Sequence, residues 1–98
     1  MRALGLLLLL SSGCGGVYYG LEAQSAASRL EEARVLGAES LAPYEYYYAK
    51  AHLDQASSEA SQGHYSDAAR YAETSADYAA QAIEISKSSS GKRRDEGH

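Results

Sequence analysis

The stretch GHYSDAARYAETSADYAAQAIEIS, residues 63–86, decides the fold. Tyr65, Ala68, Ala69, Ala72, Ala76, Ala79, Ala80 and Ile83 recur at helical spacing and fall on one stripe, the pattern of an amphipathic helix with one face turned to a core. Ser66 suits an N-cap and Asp67 the first turn, where a carboxylate meets the positive end of the helix dipole. The pattern predicts a helix over about 66–87. A second stripe runs along it: Tyr71, Tyr78 and Ile85 are spaced by sevens, with Ser75 and Ala82 between them. Heptad spacing means contact with another helix, either the first helix of this chain or another protein.

Upstream, residues 43–62 predict a second helix. Pro43 fits its first turn, and Gly63 past its end can take the left-handed conformation that stops a helix. Tyr46, Ala49, Leu53, Ala56 and Ala60 form its stripe. Only Gly63-His64-Tyr65 separates it from the next helix, so the two form an antiparallel hairpin. Alanine along both stripes lets the axes come close, with Tyr46, Leu53, Tyr65 and Ile83 closing the ends of the seam. A further helix is expected over about 21–41, with Ala23, Ala26, Ala27, Leu30, Ala33, Gly37 and Leu41 on one face and Pro43 ending it. The fold class is all-α: an antiparallel helical hairpin preceded by a third helix, three-helix-bundle-like. Beyond residue 14, leucine, isoleucine and valine are few, and a core so poor in large aliphatics is marginal by itself. Self-association or a protein partner is the expected remedy.

The N-terminus has a different composition. Met1-Arg2 supplies one positive charge, Ala3 to Leu10 is apolar, and Ser11-Ser12-Gly13-Cys14 follows. Eight helical residues rise about 12 Å, far short of the roughly 30 Å hydrocarbon core. A charged start, a short apolar run and small residues form the pattern of a secretory signal. Ser12-Gly13-Cys14 resembles the end of a bacterial lipobox, and the resemblance implies cleavage before Cys14 and lipidation of its thiol. The alternative is an ordinary signal with an incidental cysteine, or a start site further upstream. By the same resemblance Gly15, which is not aspartate, implies the outer membrane with the domain facing the periplasm. Residues 1–13 are thus assigned to a signal peptide, 14–20 to a glycine-rich tether, 21–87 to the helical domain and 88–98 to a polar tail expected to be disordered.

The formal net charge is −4, which argues against nucleic-acid binding. Lys92-Arg93-Arg94 is the one basic cluster, followed at once by Asp95-Glu96; a solvated tail is preferred over contact with lipid headgroups. A single cysteine forms no internal disulfide. His52, His64 and His98 lie on different elements, and no metal, phosphate or nucleophile–base motif occurs. No catalytic residue, metal or cofactor is expected, and the chain is not expected to be an enzyme.

The tyrosines, nine in all, are the unusual feature. At 100° per residue with Tyr44 at 0°, Tyr48 falls at about 40°, Tyr47 at about 300° and Tyr46 at about 200°, while the alanine stripe centres at about 150°. Tyr46 therefore belongs to the core. Tyr44, Tyr47 and Tyr48 either pack against the first helix or stay partly exposed as a patch for a protein or glycan. They join Tyr71, Tyr78 and Ile85 as candidate partner-binding residues.

Two resemblances complete the reading. Gly63, Tyr65, Ala68, Ala72 and Ala76 are placed as in tetratricopeptide helices, though no 34-residue period recurs. More extensively, residues 42–82 resemble the bacterial envelope proteins grouped as domain of unknown function 4398: an Ala42-Pro43 start, a Glu45-Tyr46 pair, a helix with Leu53, Ala56 and Ala60, a Gly63-x-Tyr65 turn and an alanine-rich last helix. That resemblance implies a short lipoprotein of the cell envelope. Some members carry a peptidoglycan-binding domain of the outer-membrane-protein-A type; these 98 residues include no such segment, and its activity is not carried over. The expected role is a membrane-anchored structural or protein-interaction module, the alternative a tetratricopeptide-like adaptor that holds a peptide or protein.

Overall fold

The computed structural model describes residues 14–96, all helix and short connections. The signal sequence expected at 1–13 lies outside the described residues, as do residues 97–98. Four helices follow in order: α1 (Cys14–Val35), α2 (Ala38–Leu41), α3 (Pro43–Ser61) and α4 (Tyr65–Glu96). The fold is all-α: α3 and α4 form an antiparallel hairpin, and α1 packs along it.

Local chemistry sets the two turns. Gly63 lies at φ 82°, the left-handed region that a Cβ makes costly. Its N–H donates to Ala60 O at 3.0 Å and the His64 N–H to Glu59 O at 2.9 Å, the paired bonds of a Schellman motif that satisfy the last carbonyls of α3. Gly37, at φ 88°, ends α1 in a similar way, its N–H donating to Arg34 O at 3.0 Å. The Ser40 and Leu41 amides then donate to Gly37 O, so the chain winds at once into α2. Pro43 opens α3 at a position whose N–H would have no helical partner.

Three boundaries differ from the sequence expectation. The helix expected over 21–41 breaks at Leu36-Gly37, because the left-handed residue turns the chain instead of continuing the stripe. The same helix begins earlier, so the glycine-rich run 14–20 leads into the domain as helix. Cross-helix contacts offset the glycines' poor propensity: the Tyr19 and Tyr65 rings lie 6.3 Å apart, and the Tyr18 hydroxyl donates to the Glu73 carboxylate. At the other end α4 continues from Lys87 to Glu96 as helix, since extending an existing helix adds a hydrogen bond per residue without a new nucleus. Lys87, Ser88, Ser90 and Gly91 on this extension are exposed.

The core is a seam of alanines along α4. Ala68, Ala69, Ala72, Ala76, Ala79 and Ala82 are buried, facing Ala26, Leu30 and Ala33 of α1 and Tyr46, Ala49 and Ala56 of α3. Leu30, Tyr46 and Ile83 are the large buried members, with Leu36, Leu53, Tyr78 and Ile85 packed around them. Tyr46 is buried as its helical phase predicts. Tyr65, expected to close the seam, is exposed instead and meets the Tyr19 ring at a tilt. Two hydrogen bonds cross the seam: Ser75 Oγ donates to Ala49 O at 2.6 Å, and Arg29 Nη1 to Ala76 O at 3.2 Å.

Because the seam has no room, Ala79→Leu is expected to lower unfolding free energy by about 1–3 kcal/mol or more. Gly37→Ala is expected to lower it by about 1–2 kcal/mol through backbone conformation, since a Cβ there meets only the Leu41 side chain, at an ordinary contact distance of 3.6 Å. Urea unfolding followed by circular dichroism checks both.

Candidate functional site

Four-residue spacing puts Tyr44, Tyr48 and His52 on one side of α3, flanking the alanine stripe. Seven-residue spacing puts Tyr71 and Tyr78 on the matching side of α4. The hairpin brings the two rows together. Tyr48 lies at the centre: its ring centroid is 4.2 Å from that of Tyr78 and 4.1 Å from that of His52, which it stacks on. Tyr44 adds to one end, 5.7 Å from Tyr48 and edge-on to Tyr78 at 6.4 Å. Tyr71 adds to the other, 5.9 Å from His52. The result is an aromatic ladder across α3 and α4.

The ladder settles where the heptad stripe of α4 goes. Its partner is α3 of the same chain. Tyr44 and Tyr48 correspondingly pack toward α4, which corrects the expectation that they meet the first helix. The physical reason is the phase of α3: the ladder residues directly flank the stripe that already faces α4, so the same interhelical contact carries both. Tyr48, Tyr71 and Tyr78 are half-buried in this contact, and Ile85, also half-buried, packs against the core cluster. Tyr44 and Tyr47 are not: they keep 65% and 50% of their surface exposed. Tyr47 sits off the ladder, edge-on to Tyr46 at 5.1 Å. Cys14 opens α1; its side chain lies outside what is described.

His52, half-buried at the boundary of the bundle, is part of the ladder, and its Nδ1 lies 3.0 Å from Tyr48 O; a carbonyl only accepts, so Nδ1 donates. The Tyr44–Tyr48–His52 spacing was the available signal, but a histidine is not counted with an apolar stripe.

Past His52 and Tyr71 the groove widens into a pocket of about 420 Å³ lined also by Glu59, Asp67, Arg70 and Thr74. Its charges are paired locally: Arg70 donates to Asp67, and His64 Nδ1 lies 2.9 Å from Glu59 Oε2. Elsewhere, the hydrogen bond from Tyr18 to Glu73 raises the phenol's pKa, and the bond from Arg34 lowers that of Glu31. Among the described residues no cluster of three or more His, Cys, Asp or Glu is placed to hold a metal ion, and no side-chain hydrogen bond joins a serine to a histidine. What the groove offers is ring surface for stacking, bordered by phenol and carboxylate groups for hydrogen bonds.

The chain matches no family model, no curated protein and no solved structure.

Tyr48 and Tyr78 are expected to be energetically coupled. In a double-mutant cycle of Tyr48→Leu and Tyr78→Leu, urea unfolding is expected to give a coupling of about 0.5–1.5 kcal/mol. Tyr44→Ala, at the exposed end, is expected to cost less than either change in the middle of the ladder.

Proposed function

We propose that this chain is a small cell-envelope lipoprotein, anchored to a membrane through Cys14, whose helical domain works as a structural or protein-interaction module. The observation that carries the interaction half is the exposure of Tyr44 and Tyr47 beside a rigid aromatic ladder. Tyrosines held by ring–ring contacts lose little conformational freedom on binding, and a ring with a polar tip contributes in both dry and wet contacts. The anchoring half rests on the apolar run before Ser12-Gly13-Cys14 and on the resemblance to envelope lipoproteins. Periplasm-facing attachment to the outer membrane follows from the same resemblance.

The geometry supports a division of labour between the two ends. The start of α1 lies beside the start of α4, where Gly15 approaches Tyr65. The exposed tyrosines lie near Tyr78, thirteen residues along α4 from Tyr65 and hence about 20 Å away. An anchor at residue 14 therefore leaves Tyr44 and Tyr47 on the part of the bundle turned away from it. A second reading is an adaptor that holds an extended peptide along the ladder, favoured by the pocket that continues the groove past Tyr71.

Two experiments test this. Metabolic labelling with palmitate is expected to mark the wild-type chain, and Cys14→Ser is expected to abolish the label and release the protein from the membrane fraction. Photo-crosslinking amino acids placed at Tyr44 and Tyr47 in intact cells are expected to capture the same partner, which a crosslinker at exposed Ser57 does not capture. Equal, unselective capture at all three positions would count against the interaction surface.

A further inference from the structure

The first two turns of α1 carry an apolar strip that the bundle leaves largely exposed. Val17, Tyr18 and Leu21 are 63%, 50% and 64% exposed, with only the Tyr18 hydroxyl reaching α4 at Glu73, while Tyr19, between them, is half-buried and meets the Tyr65 ring at a tilt. At 100° per residue, positions 14, 17, 18 and 21 fall within about 100° of one another on the helix, so the strip shares its side of α1 with the position of Cys14. The next positions on that side are Ser25, Ser28 and Glu32, so the strip ends after two turns. Exposed Tyr65, from the start of α4, adds an aromatic ring at the same end.

We propose that this strip is a membrane-docking surface: the first two turns of α1, with Tyr65, lie in the headgroup region, so that the domain rests on the bilayer. The inference rests on the reading of Cys14 as a lipid anchor and adds an orientation to it. An acyl group at position 14 brings the helix to the interface, and the residues sharing its side then meet lipid first. Valine and leucine leave water there, while tyrosine suits the boundary between acyl chains and headgroups. Charge decides the kind of lipid contact. Glu22, Asp67 and Glu73 border this end, with Arg70 already bonded to Asp67. Among the described residues no basic cluster stands there to recruit anionic lipid, so docking is apolar and insensitive to salt. The polar side of α1 beyond Leu21 makes the helix slope out of the interface, which carries Tyr44 and Tyr47 away from it.

The test uses the full chain isolated from bacterial membranes and reconstituted in phosphatidylethanolamine–phosphatidylglycerol vesicles, with mass spectrometry recording acylation of Cys14. A nitroxide is attached at Leu21→Cys and, separately, at Gly20→Cys, an exposed position in the same turn but off the strip. The expected result is that the label at 21 collides several-fold more with oxygen, which concentrates in lipid, than with a water-soluble nickel chelate. The label at 20 shows the reverse, and neither changes between low and high salt. An acylated protein whose label at 21 stays open to the chelate overturns the docking surface and leaves the anchor standing. A label shielded from both reagents shows that protein covers the strip, and overturns it too. A chain with no acyl group overturns the anchor, and the docking inference with it.

Discussion

The bundle depends on the close approach of α1 and α3 to the alanine side of α4. Ala72, Ala76, Ala79 and Ala82 present one methyl each and are buried. A seam of methyls removes little apolar surface per residue. Its contribution comes from letting helix backbones and the neighbouring large side chains touch along their length. The seam is also nearly featureless, so it resists sliding poorly. Ser75 to Ala49 O and Arg29 to Ala76 O supply the missing register, one tying α4 to α3 and the other to α1. Leu30, Tyr46 and Ile83 fill the cluster near the α2 end of the seam.

A seam this thin leaves the flank of the hairpin open, and the aromatic ladder occupies it. The position is half-buried, so the side chains there need a broad apolar ring and a tip that tolerates water. Tyrosine meets both needs; leucine at Tyr44, Tyr48, Tyr71 and Tyr78 would leave purely apolar surface on the rim. The abundance of tyrosine is thus explained in large part by packing. Tyr44 and Tyr47, still largely uncovered, remain available for a partner and carry the functional proposal.

The topology fixes where these surfaces stand. α1 and α4 start at the same end and α3 runs back between turns at Gly37 and Gly63. The start of α1, its uncovered Val17–Leu21 strip and Tyr65 consequently gather at one end, and Tyr44 and Tyr47 lie toward the other. Under the proposed anchoring, that polarity would give the domain a lipid side and a partner side without any further element.

The amino-acid sequence by itself determined the helices, the hairpin and the burial of Tyr46, because helical periodicity, a proline start and a glycine stop are local properties of the chain. It also displayed the heptad of Tyr71, Tyr78 and Ile85 and the block around Tyr48, but as two separate faces. Only the tertiary structure decided that these two rows meet, drew His52 into the ladder and left Tyr65 outside the seam. Periodicity places a residue on a side of its own helix and says nothing of which neighbour stands opposite. The same limit hid the helical conformation of residues 14–20: glycine propensity is local and argues against helix, whereas the contacts of Tyr18 and Tyr19 with Glu73 and Tyr65 join segments far apart in the chain.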